Sequence, residues 1–131
     1  MTFARRLALV AGVVLPIGEI ARRWHQLADP RMFYAWFDDW MIGALLLYGA
    51  WRVARDPVTG QASLAAAWGF TLAIAIGSFF AGLFGDADPT GASRTVVVAV
   101  KGVMLALNVA ALVSVLRWRP SSAGERPRSD R

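Results

Sequence analysis

Residues 62–84, ASLAAAWGFTLAIAIGSFFAGLF, run for 23 positions without a charge or a proline. At about 1.5 Å per helical residue, that run is long enough to cross the roughly 30 Å hydrocarbon core of a bilayer. Working outward, three further stretches read as spans, giving four at about 3–21, 36–53, 62–84 and 95–117. The last holds Lys101 and Asn108 among many Val and Leu residues, which outweigh one central charge costing roughly 3 kcal/mol. The second is strongly apolar only from Trp40 to Trp51, so it spans with Asp38 and Asp39 at or just inside the outer boundary. The first contains Pro16 and Glu19. It could instead be a signal peptide, since Arg5 and Arg6 precede the apolar run. Its exit lacks the small-x-small cleavage pattern, and an uncleaved span is expected. The arginine pair also lacks the neighbours of a twin-arginine export signal.

Composition agrees. The chain has 131 residues, 56% of them hydrophobic, and a mean hydropathy of +0.46. That is too apolar for an ordinary soluble domain of this size, and too short for a large catalytic or nucleotide-binding module. The expected fold is an all-α integral membrane protein, an up-down four-helix bundle with short loops over residues 1–119, followed by a disordered basic tail over 120–131.

The formal charge of +5 is a topology signal. With the N-terminus inside, Arg5, Arg6, Arg52, Arg55, Arg117, Arg119, Arg126, Arg128 and Arg131 are cytoplasmic, against Arg22, Arg23, Arg31 and Arg94 outside. The positive-inside rule then puts both termini in the cytoplasm of a bacterial-type inner membrane. The lipid bilayer, anionic headgroups included, is the implied partner, and nothing argues for nucleic acid. Trp24, Trp36 and Trp40 are expected at the outer interface, and Trp51, Trp68 and Trp118 at the inner one. The segment 52–60, with Asp56-Pro57 and Gly60, reads as a turn, as does 85–94.

Four ionisable residues fall within or at the edge of the spans: Glu19, Asp38, Asp39 and Lys101. Counted from the inner arginines, all four lie in the outer third of the bilayer. Charges there are expected to face the bundle interior and pair. Lys101 is therefore expected to bridge Glu19 and one aspartate, with Asn108 on the same face one layer deeper. Of 14 basic residues only this one is lysine, the base whose proton is more readily lost on burial. Two readings follow: a static ion-pair staple, or a proton- or ligand-binding site.

Helical spacing places Ala8, Gly12, Pro16 and Glu19 on one face of the first helix. Asp39 aligns with Gly43 and Ala50 on the second, which favours Asp39 over Asp38 as the inward carboxylate. Gly69, Ala73 and Gly77 belong to a four-residue ladder of small side chains on the third, suited to packing within the bundle or to a dimer.

Other chemistry is mostly excluded. The loop Asp86 to Gly91 imitates half of a calcium loop, but its twelfth position is Val97 instead of glutamate. With one histidine, His25, and no cysteine, no metal site, cofactor attachment or disulfide is expected. Asp38 and Asp39 are about 100° apart around a helix and make a poor acid pair. A catalytic role is therefore not expected. The leading expectation is a non-enzymatic accessory or interaction protein, a homo-oligomer or part of a larger membrane complex. The alternative is a small proton- or ion-coupled transporter acting as a homo-oligomer. Four spans and a first-helix carboxylate at Glu19 resemble the small multidrug resistance transporters in size and span count. The chain departs from that family in the outer position of Glu19, in Lys101 and in the Asp38–Asp39 pair.

Overall fold

The computed structural model describes residues 1–22, 24, 33–85 and 93–119, and they are all-helical. Four helices follow one another: α1 (Thr2–Arg22), α2 (Phe33–Arg55), α3 (Pro57–Phe84) and α4 (Arg94–Leu116). The tail 120–131, the 86–91 calcium-like loop and His25 lie outside the described residues. Among the described residues, α3 and α4 are long and apolar enough to cross a membrane; α1 and α2 do not meet that measure by themselves.

The helices pack in sequence, α1 on α2, α2 on α3 and α3 on α4, with α4 returning more sparsely to α1. Neighbours are antiparallel. Gly12 meets Leu47 while Pro16 meets Gly43, and Gln61 meets Val115 while Ser78 meets Lys101.

The link between α2 and α3 is a single residue, Asp56. Its carboxylate accepts from the Val58 N–H at 3.0 Å and from the Thr59 hydroxyl at 2.7 Å, and Pro57 supplies the helical φ of the first turn. The Thr59 bond first, then the Val58 bond, hold the Asp56 carboxyl below its ordinary 3.8. The broad turn expected over 52–60 is thus already helix from Pro57. Gly60 is no helix breaker here. A Cβ on it would lie 2.5 Å from the Val53 nitrogen, so its bare backbone lets the hairpin close.

That early start moves Trp68. It lies eleven residues into α3, about 16 Å along the axis, and is 1% exposed. Trp68 is therefore a core residue and not part of an interfacial belt. Around it, Ala4, Ala8, Leu46, Ala50, Val53, Leu64, Ala67, Ala111 and Val115 form an apolar core. All of these lie toward the Asp56 end, where the Gln61 amide also caps α4 by donating to the carbonyls of Val115 at 2.8 Å and Trp118 at 3.1 Å.

Outside this core the molecule is apolar on every helix. Val10, Val14 and Ile17 on α1, Trp40 and Trp51 on α2, Phe80 and Phe84 on α3, and Val100, Val103 and Leu116 on α4 are all exposed. Soluble monomers rarely show so much apolar surface.

Candidate functional site

The half of the bundle away from Asp56 is built differently. There α1 and α2 cross closely, because Gly12 and Gly43 have no side chains. A Cβ on Gly43 would lie 2.5 Å from Pro16 Cγ and 2.8 Å from the Gly12 carbonyl oxygen. The inward face of α1 carries Ala4, Ala8, Gly12 and, near its end, Glu19, which is only 4% exposed. α1 is continuous through Pro16, whose ring packs where Gly43 leaves room.

Beside this crossing all four helices contribute to one cavity of about 110 Å³. Its polar wall is Asp39 from α2, Thr71 and Ser78 from α3, and Lys101 and Asn108 from α4, with Leu15 of α1 completing it. Asp38, one residue from Asp39, is exposed, as the 100° step around a helix requires. Glu19 does not line the cavity.

Lys101 reaches across the α3–α4 interface, and its ammonium donates to the Ser78 carbonyl at 3.0 Å. Its stem lies over Gly82, where a Cβ would meet Lys101 Cδ at 3.2 Å. The contact described for Lys101 is thus to backbone, while Asp39 lines the same cavity; the bridge to Glu19 and an aspartate stays an expectation. Glu19 and Asp39 each have interactions of their own.

Asn108 is 7% exposed. Its amide donates to the Met104 carbonyl at 2.8 Å, one turn back in the same helix, while its Oδ1 is buried with no hydrogen-bond partner among the described residues. Thr71 is likewise tied to its own helix, donating to the Ala67 carbonyl at 2.8 Å, which leaves its oxygen free to accept. The Trp68 Nε1 is a second orphaned polar atom. The antiparallel contacts of Gln61 with Val115 and of Ser78 with Lys101 put Trp68 level with the turn of α4 from Asn108 to Ala111.

Thr71, Ser78 and Gln61 were not singled out from sequence. A signal existed: Thr71 and Ser78 are seven apart, as are Lys101 and Asn108. Two such pairs on antiparallel neighbours fall opposite each other, Ser78 with Lys101 and Thr71 with Asn108, once the register is known.

The small-residue ladder of α3 divides from the rest. A Cβ on Gly69 or Gly77 would meet nothing within 4 Å, and Ala73 is exposed, so this stripe faces out of the bundle and packs nothing in it. Among the described residues no group of three His, Cys, Asp or Glu side chains is placed to hold a metal. No family model, no curated protein and no solved structure matches the chain.

Proposed function

We propose that this chain is a small multi-pass protein of a bacterial-type inner membrane, inserted through all four helices, that acts by association and not by catalysis. Insertion is supported by the apolar surface on every helix and by the gathering of Arg5, Arg6, Arg52, Arg55, Arg117 and Arg119 at the Asp56 end. Positive charge on that side makes it the cytoplasmic one, with anionic headgroups beside it.

The observation that carries the associative reading is the outward stripe Gly69, Ala73 and Gly77 on α3. Small side chains at four-residue spacing let a second helix approach closely, which is where van der Waals attraction in lipid is largest. The occupant is either a second copy or a helix of a larger complex, for which this protein is an accessory subunit. Single cysteines at Ala73 and, as a control on another helix, Val103 test it by disulfide cross-linking in native membranes. The reading expects covalent adducts through Ala73→Cys that vanish when Gly77→Leu is added. Equal yields from both positions, or indifference to Gly77→Leu, would sink it.

A second reading, a small proton- or ion-coupled transporter, is favoured by the polar cavity between the four helices. Purified protein in liposomes would be assayed for proton-driven flux alongside Glu19→Gln, Asp39→Asn and Lys101→Met. Flux in the wild type that folded variants lose supports transport; a wild type that carries none removes it.

A further inference from the structure

Four helices line one cavity with charged and polar groups, and one of its buried acceptors is unmet among the described residues. At its upper end are the Asp39 carboxylate and Lys101, whose ammonium has two further N–H groups beyond its bond to the Ser78 carbonyl. At its floor are Thr71, with oxygen lone pairs to offer, and Asn108, more than nine-tenths buried with its Oδ1 unpaired. A buried acceptor left unmet costs about 1–3 kcal/mol, so the floor calls for a donor.

The chemistry of the occupant follows by elimination. A fully deprotonated anion would pair with Lys101 but has no proton for the Asn108 Oδ1, and any anion would face the Asp39 carboxylate. A metal cation would suit the oxygens but would sit beside the Lys101 ammonium, and would repel it. What fits is a small neutral species that both donates and accepts.

We propose that the cavity binds a file of water molecules leading from Lys101 and Asp39 inward to Asn108. The dimensions agree. Lys101 and Asn108 are seven residues apart, about 10 Å along the helix axis, which is three to four hydrogen-bond steps of roughly 2.8 Å. A cavity of about 110 Å³ likewise has room for several waters. The floor lies 14 residues from the start of α4, about 21 Å in, and the apolar core around Trp68 lies below it. The file is therefore a blind vestibule, open toward the ends of α1 and α3, that brings water and its protons to mid-membrane. It rests on the four-span reading but not on association.

The absence of cysteine makes the test clean. Thr71→Cys, Ala75→Cys and Ser78→Cys line the cavity, and Ile76→Cys at a similar depth faces outward. Each would be reconstituted in phosphatidylcholine and phosphatidylglycerol vesicles and exposed to aqueous silver ion, with modification followed by mass spectrometry. Silver reacts with the thiolate, which forms only where water reaches the sulfur.

The file predicts that the three lining positions react at least about tenfold faster than Ile76→Cys, because only they can ionise. Adding Asn108→Leu, which removes the polar floor, should slow Thr71→Cys and leave Ser78→Cys unchanged. Ala75→Cys removes no hydrogen bond and stands in if Thr71→Cys fails to fold. Lining positions as inert as Ile76→Cys, or a Thr71→Cys rate indifferent to Asn108→Leu, would overturn the file. A fast Ile76→Cys would instead overturn the membrane reading on which the file rests, and with it the file.

Discussion

The ammonium of Lys101 donates to the backbone carbonyl of Ser78 across the α3–α4 interface at 3.0 Å. A side chain that had the composition of an ion-pair partner is, among the described residues, held by a peptide group. That distinction has an energetic consequence. Breaking a buried ion pair costs about 3–5 kcal/mol because one charge is left behind, whereas losing one charged hydrogen bond costs about 1.5–3 kcal/mol.

Lys101→Met should therefore fold, and its loss of stability should be at most about 2 kcal/mol, because removing the charge also eases burial. Equilibrium unfolding of the reconstituted protein measures this. A loss above about 4 kcal/mol would instead support the ion-pair staple.

Glycines on the two sides of the bundle should respond in opposite ways. Gly43→Ala forces a Cβ to within 2.5 Å of Pro16 Cγ and 2.8 Å of the Gly12 oxygen, a rigid ring and a backbone atom, and should cost about 2–3 kcal/mol. In the unassociated bundle Gly77→Ala meets open space and should be neutral or stabilising by up to about 1 kcal/mol through helix propensity. Thermal melts of the two variants under one condition decide it.

Gln61→Leu removes both bonds from its amide to the Val115 and Trp118 carbonyls. The last turn of α4 should fray at a cost of about 1–2 kcal/mol. Faster amide hydrogen exchange at Val113 to Trp118, with α1 unchanged, is the expected pattern.

At the α2–α3 hinge the prediction concerns pH. The Asp56 carboxyl titrates below 3.8 in the folded chain, chiefly because of the Thr59 hydroxyl. A lowered folded pKa contributes stability above the unfolded value that is lost as pH falls through the folded one. The hinge should accordingly weaken only below about pH 4. In Thr59→Val the Asp56 pKa should rise toward its ordinary value, as followed by the Asp56 carboxyl resonance in an NMR titration.

Several features were legible without coordinates. The apolar runs at 62–84 and 95–117 correspond to α3 and α4, the two helices long and apolar enough to span. Chemistry within a helix was legible as well. The seven-residue spacing of Lys101 and Asn108, and the inward preference of Asp39 over Asp38, depend only on 100° per residue, and both Asp39 and the Lys101–Asn108 pair line the cavity. The Asp56–Pro57 hairpin is tighter than its sequence suggests, because Asp-Pro and Gly are turn residues in general. Here a cap and a close backbone contact let the helix begin at once.

Sequence by itself thus determined the helical class, the face on which each polar side chain falls and the end at which arginine gathers, since all of these are set by local spacing and composition. Tertiary structure alone decided partners. The register between α3 and α4 set the Ser78 carbonyl against Lys101 and brought Thr71 and Asn108 to one cavity. The close crossing at Gly12 and Gly43, and not the equally small Gly69 and Gly77, became the internal contact. Contacts between helices depend on how far one slides and turns against another, and no periodicity along one chain segment carries that information.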